Sequence, residues 1–479
     1  MRRWRDAGRF QIRSASKVTL PADLLHAIAH GGGGRVVLVV GAGASCEPPT
    51  GLPLSSEAAL EAHRHLVADG VLIEGQCASP EDLSCLADAV VHATGGQRAL
   101  VERLPVPRFR SAEPNEGYLI AAALLREQAV GCVMTLNFDL GMSAALTRLG
   151  AHEDVGVVSG PEEHHRLGAV NLIYLHRNVY ADPDAWILRT SALADAWRDR
   201  WEEVIAHRVI GGPVTVFAGL GTPAAVLVET AVRIRTAIPD GARVFQVDPG
   251  NRADSAFFAR LRLPDDAYMQ MGWCDFAKEL GARVLEEHRN ELEQACRALI
   301  STEGWADDDP ADLCTRLGAL GLVGLGQLRA RWTLDPAPYT PRRAITVDWL
   351  ADLLLGVGVI ERATGARATF DADGIVELRR DDRVLAPIAV ASGRGTKRWL
   401  TLETDLNQHT HRRRNREPEP RFVLVSGVVQ GSRPSDVAPP GDVAIGDEEA
   451  NIINAGTGLR LVSVEDIRAR PEIAQEMAA

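Results

Sequence analysis

Apolar residues gather into short runs along this chain, and each run ends on glycine or on a polar side chain. The first is VVLVV at 36–40, which leads into GAGAS. Five consecutive apolar, mostly β-branched residues fit a strand buried on both faces. The stretch at 131–139, GCVMTLNFD, predicts a second strand with Thr135, Asn137 and Asp139 at alternate positions, so that in a regular strand they share one direction. VNLIYL at 170–175 ends on His176, VTVFA at 214–218 ends on Gly219, Leu220, Gly221 and Thr222, and RVFQV at 243–247 ends on Asp248. Helical spacing lies between and around these runs at 21–30, 55–69, 80–92 and 115–128, with Ser55 or Ser56 able to cap the second. Strands alternating with helices predict an α/β fold built on a Rossmann-like parallel sheet, in which ligands bind beyond the carboxyl ends of the strands. The recurrence of apolar run and polar end therefore predicts one crevice that collects all of them.

Past residue 272 the pattern changes. Residues 275–300 have the spacing of a long amphipathic helix, 309–332 read as a further helical block, and 333–343 carry three prolines and mark a linker. A helix at 347–355 and strands at 367–370, 375–378, 399–402, 421–429 and 459–464 then predict a C-terminal α+β domain. The expected division is an N-terminal extension (1–19), a nucleotide-binding domain (20–300), a helical segment with its linker (301–343) and the C-terminal domain (344–479). Asp373, Glu377 and Arg379 give the last part a faint resemblance to a degenerate nuclease-like fold, with Arg379 where that chemistry expects lysine. A solvated edge strand explains them more simply. The run HTHRRRNR at 409–416 is the one concentrated basic stretch, either an exposed loop or a contact for nucleic acid or an acidic partner. Residues 431–446 read as a loop.

Composition narrows the class. At 479 residues the chain exceeds what one core usually organises. A formal charge of -12 and 5% aromatics argue against a chain that coats nucleic acid or stacks on bases. Seven cysteines without a CxxC pair argue against a disulfide framework or a structural zinc site, and point to a reducing, cytoplasmic setting. The basic first residues lack an apolar signal core, and no apolar run has membrane-spanning length.

The glycine-rich turn is the candidate phosphate site. Gly41 and Gly43 carry no side chain, Ala42 adds little bulk, and Ser45 offers a hydroxyl. By itself the turn is ambiguous: the third glycine of a dinucleotide fingerprint would fall at Cys46, and no Gly-Lys-Ser/Thr follows. The ordered set is more specific. Gly41-Ala42-Gly43-Ala44-Ser45 with Gly51-Leu52-Pro53, Thr135-Leu136-Asn137-Phe138-Asp139, Leu175-His176, Gly219-Leu220-Gly221-Thr222 and Gly272-Trp273-Cys274-Asp275 resembles the Sir2 (sirtuin) NAD-binding domain over roughly residues 20–285.

That resemblance implies NAD as substrate. Gly41, Ala42, Gly43 and Ser45 would hold the pyrophosphate, Thr135 would contact the cofactor, Asn137 and Asp139 would lie near the scissile glycosidic bond, and His176 would act as general base. Gly219, Gly221 and Thr222 would face ribose and phosphate, and Asp248 the adenosine. The family's deacylases insert a zinc ribbon of two CxxC pairs after the histidine, which this chain lacks, and Arg177 stands where a glycine is usual. What remains is similar to the zinc-free Sir2-like proteins of prokaryotic anti-phage systems, which hydrolyse NAD. The resemblance thus implies an NAD hydrolase needing no metal, regulated through its C-terminal half by oligomerisation or by a partner ATPase or DNA translocase. Transfer of ADP-ribose, deacylation and non-catalytic sensing of NAD or ADP-ribose stay open beside it.

Overall fold

The computed structural model describes residues 20–30, 36–188, 201–221, 228–229, 231–233, 236, 243–305, 310–332, 348–392, 422–426 and 460–478. The expected extension at 1–19, the proline-rich linker, the strand at 399–402, the basic run at 409–416 and the loop at 431–446 lie outside them.

The first half folds as α1 (Ala22–His30), β1 (Val36–Val40), α2 (Ser55–Ala68), α3 (Leu83–Thr94), α4 (Arg98–Val101), α5 (Val106–Arg110), α6 (Glu116–Arg126), β2 (Cys132–Thr135), α7 (Gly141–Leu149), β3 (Gly156–Val158), β4 (Asn171–Tyr174), α8 (Trp201–Ile210), β5 (Val214–Ala218), β6 (Arg243–Val247), α9 (Ala256–Leu261) and β7 (Tyr268–Met269). The seven strands form one sheet in the order β3-β4-β2-β1-β5-β6-β7, and all six pairings are parallel. Every residue of β1, β2, β4 and β5 is buried, as continuous apolar runs require of a sheet covered on both faces.

After β1 the chain builds one side of the sheet, then returns across it to lay β5 on the other side of β1. The strand order therefore reverses between β1 and β5, which is where a doubly wound sheet opens a crevice. β2 is shorter than expected. Its ladder ends with Thr135, and Asn137 and Asp139 stand on the loop beyond it rather than on a regular strand.

Helices α2 to α5 make a small module inserted between β1 and α6. Its apolar interior, with Leu66, Leu86, Val90 and Leu100, also takes in Val179, Trp186 and Leu188 from the segment after β4. The Asp82 side chain caps α3 by accepting from the Ser84 and Cys85 N–H groups.

The remaining elements are α10 (Trp273–Glu303), α11 (Pro310–Gly318), α12 (Gly321–Trp332), α13 (Asp348–Thr364), β8 (Arg367–Phe370), β9 (Ile375–Arg380), β10 (Arg383–Ser392), β11 (Phe422–Ser426), β12 (Arg460–Ser463), α14 (Val464–Ala469) and α15 (Pro471–Met477). β8 to β10 form an antiparallel meander, and β11 and β12 add to it in parallel. The expected helical block at 309–332 breaks before Gly321, whose φ of 69° closes α11 from α12. β10 is not among the expected strands, and it carries Pro387, a residue uncommon inside a central strand. A register shift between Val384 and Ala386 precedes that proline, and the strand continues through it.

Helix α10, about 46 Å long at 1.5 Å per residue, serves both cores. Phe276, Leu280 and Val284 pack into the core around the parallel sheet. Leu292 and Cys296 pack with α13 and the second sheet. Among the described residues no helix is long and apolar enough to cross a membrane.

Candidate active site

The turn after β1 meets the turn after β5 backbone to backbone. Gly41 N–H donates to the Ala218 carbonyl at 3.0 Å and Gly43 N–H to the Gly219 carbonyl at 2.9 Å. A Cβ at Gly41 would stand 2.5 Å from Leu220 Cδ2, and one at Gly43 would stand 2.8 Å from Gly219 Cα. The missing side chains are thus required by the neighbouring turn. At Gly221 nothing among the described residues lies within 4 Å of where a Cβ would be. Thr222 lies outside the described residues.

From this turn Ser45, 2% exposed, reaches into a polar cluster. Its hydroxyl donates to Asp139 Oδ2 at 2.7 Å and lies 2.7 Å from the Tyr118 hydroxyl. Asn137 Nδ2 faces the Gly41 carbonyl at 3.0 Å, Ser45 Oγ at 3.0 Å and the Tyr118 hydroxyl at 3.2 Å. The Asp139 carboxylate also accepts from the Gly141 N–H at 2.9 Å. Burial pushes its pKa above the ordinary carboxylate value, while the Ser45 and Gly141 donors pull it back. Thr135 Oγ1 accepts from the Asn137 N–H at 3.0 Å, so this hydroxyl fixes the start of the loop that carries Asn137 and Asp139.

His176 follows β4, next to β2 in the sheet. It is 9% exposed, and its Nε2 has no hydrogen-bond partner among the described residues. Desolvation, reinforced by the adjacent Arg177 charge, lowers its pKa to about 4, so the ring is neutral at cellular pH. Arg177 sits at φ 76°, the left-handed region that glycine enters freely, and its guanidinium lies 5.6 Å from the Trp201 ring centroid.

The segment after His176 is held to the helical module. Gln97 Nε2 donates to the carbonyls of Pro183 and Trp186 at 2.8 and 2.7 Å, and Phe138 stacks on Trp186 with centroids 4.2 Å apart.

Asp248 ends β6, where its N–H donates to the Met269 carbonyl and its Oδ1 accepts from Gly250 N–H at 2.7 Å, making a local turn. The structure therefore brings together Gly41, Ala42, Gly43, Ser45, Thr135, Asn137 and Asp139. The Gly219 turn packs against that group, His176 stands at the end of the next strand, and Asp248 stands at the end of β6 making its own turn.

Three contributors were not singled out from the sequence. Tyr118 supplies the hydroxyl between Ser45 and Asn137. Asn115, fully buried, caps α6 through the Tyr118 N–H at 3.0 Å and donates Nδ2 to the Ala44 carbonyl at 2.8 Å, tying the turn to that helix. Glu47 Oε1 accepts from the Cys274 N–H at the start of α10, at 3.1 Å. The signal available was Asn115 directly before an apolar helical run, an N-cap that places Tyr118 in the first turn. Among the described residues no group of three or more His, Cys, Asp or Glu side chains is arranged to hold a metal ion.

No protein-family model matches the chain, and no curated protein matches it. Similar solved structures include a Sir2 homologue in complex with NAD, at 17% identity and a TM-score of 0.34, over 57% of this chain and 95% of that one. An ADP-ribose complex of a Sir2 homologue mutant is similar at 17% identity and a TM-score of 0.33, over 57% and 98%. A Sir2 complex with a p53 peptide and NAD+ is similar at 16% identity and a TM-score of 0.30, over 56% and 98%.

Proposed function

We propose that this chain cleaves the nicotinamide–ribose bond of NAD with water, releasing nicotinamide and ADP-ribose. The observation that carries the reading is the pairing, beyond two adjacent parallel strands, of a buried neutral His176 whose Nε2 lacks a partner among the described residues with an Asn137 held by its amide nitrogen. A buried polar atom left without a partner costs free energy unless a ligand completes it. The glycine turn beside Asn137 stands at the point of strand-order reversal, where a nucleotide is expected.

Loss of nicotinamide develops positive charge on the ribose and expels a neutral leaving group. Such a reaction chiefly needs orientation, exclusion of bulk water and a nearby negative charge. Asp139 would supply that charge. Neutral His176 would accept a hydrogen bond from a ribose hydroxyl or the attacking water, and the phosphates of bound NAD would raise its basicity. Transfer to an acceptor other than water would use the same residues. Depletion of NAD in anti-phage defence, a homo-oligomer, and control by an ATPase or DNA translocase on the C-terminal domain belong to the same proposal.

The test is NAD consumption by the purified full-length chain with chromatographic separation of products, beside Asn137→Ala and His176→Ala, and NAD binding by calorimetry on the same samples. Nicotinamide and free ADP-ribose from the parent chain, lost in both variants, support the hydrolase. Failure to bind NAD overturns the reading.

A further inference from the structure

The orientation of the Asn137 amide is decided by its neighbours. The Gly41 carbonyl can only accept, so the group 3.0 Å from it is the NH2 end of the amide. The carbonyl end, Oδ1, points elsewhere and has no hydrogen-bond partner among the described residues. The two hydrogens of Nδ2 face three oxygens, those of Gly41, Ser45 and Tyr118.

The direction of the remaining bonds follows. Ser45 has one hydroxyl hydrogen, and it goes to Asp139 Oδ2. The Tyr118 hydroxyl, 2.7 Å away, must then donate to Ser45 Oγ. The phenol keeps its proton for this purpose: full burial, then the Asp139 charge, hold its pKa well above the ordinary value. The chain of donors thus runs from Tyr118 through Ser45 to Asp139, and Asn137 Nδ2 lies over its first link.

Tyr118 itself is immobilised from two sides. Its N–H is held by the Asn115 cap at 3.0 Å, and its ring lies against Trp273 with centroids 5.9 Å apart. Gly117 admits that contact, because a Cβ there would stand 2.3 Å from Trp273 Nε1. A side chain so fixed at 1% exposure touches no bulk solvent, and it can set the geometry of the two residues it bonds.

We infer that Tyr118 is a positioning residue for the proposed NAD cleavage: its hydroxyl holds the Ser45 proton on Asp139 and, together with Ser45 Oγ and the Gly41 carbonyl, sets the position of the Asn137 amide, whose Oδ1 is left for an incoming hydroxyl or water. The inference rests on the NAD reading for its consequence and on the hydrogen-bond geometry for its mechanism. Tyr118→Phe removes one oxygen and keeps the ring against Trp273. The expected result is a kcat for NAD cleavage reduced about tenfold, an NAD affinity by calorimetry within about threefold of the parent, and a thermal midpoint within a few degrees. A merely structural role would lower the midpoint and weaken binding along with kcat. A crystal structure of the variant should show Ser45 Oγ and the Asn137 amide displaced from their positions in the parent. An unchanged kcat, or an unmoved Asn137 amide, overturns the inference while leaving the NAD reading intact. A parent chain that neither binds nor cleaves NAD overturns the NAD reading instead, and the Asn137 amide in the variant then decides the positioning role alone.

Discussion

Gly219 and Ala44 are in contact through their backbones: at φ 65°, a Cβ on Gly219 would stand 2.5 Å from the Ala44 nitrogen. The turns after β1 and β5 are thus held together by an absence of side chains on both. Gly219→Ala must take a left-handed conformation, at roughly 1–2 kcal/mol, and must also push the two turns apart. We expect a loss of about 2–4 kcal/mol, read in a denaturant melt, together with loss of NAD binding. Gly221→Ala is the control, with no described residue within 4 Å of its Cβ position and negligible expected change in stability. Equal effects of the two substitutions would contradict the close-packed reading of this junction.

His176 makes stability depend on pH. Its pKa is about 4 in the folded chain and about 6.5 when unfolded, so the unfolded state binds a proton first as the pH falls. Stability from keeping this ring neutral is complete above about 6.5, declines through the interval and is gone below about 4. The full swing is about 3 kcal/mol. In His176→Asn, melts between pH 6.5 and 4 should decline less steeply than in the parent. Parallel curves would show that the ring is not desolvated as described.

Arg177 both strains the backbone and depresses the His176 pKa. Arg177→Gly relieves the left-handed φ and removes the guanidinium that lies 5.6 Å from the Trp201 ring centroid. The His176 pKa should rise, because a neighbouring positive charge is gone. An NMR titration of the imidazole reads this directly; a pKa that stays or falls would contradict the charge argument.

Between the two cores, Glu127 at the end of α6 accepts from Arg329 of α12 at 2.8 Å, with side chains 3% and 9% exposed, and His288 of α10 stands 3.6 Å away. Arg329→Ala leaves a buried carboxylate without this cation, and about 3–5 kcal/mol should be lost. Glu127→Gln together with Arg329→Met should recover most of that loss, since neither member of this pair then carries a charge. If the double variant is as unstable as the single one, packing rather than charge dominates this joint.

The strand ends were legible because strands buried on both faces are largely continuous apolar runs, so a following cluster of glycine or polar residues marks the end. That logic located Gly41, Asn137, His176 and Asp248 from the pattern alone. It overran β2, since Thr135, Asn137 and Asp139 alternate as a strand would while the ladder ends with Thr135. It passed over β10, which runs through Pro387 just after a local register shift that is invisible in one dimension. Tyr118 was hidden for a related reason. It sits in an apolar helix where a tyrosine reads as core, and only the approach of the β1 turn, 73 residues away in sequence, makes its hydroxyl part of the site.

By itself, then, the amino-acid sequence determined the alternation of buried strands and helices, and with it a parallel α/β sheet with polar groups at the carboxyl ends. Local preferences and the period of apolar residues are properties of neighbouring positions, and one chain displays them fully. The tertiary structure alone decided which turns touch, that Gly41 and Gly43 make room for Gly219, and that Asn115, Tyr118 and Ser45 orient Asn137 and Asp139. Those outcomes depend on strand order and on distances of a few ångströms between residues far apart in sequence. Nothing in the local pattern encodes them.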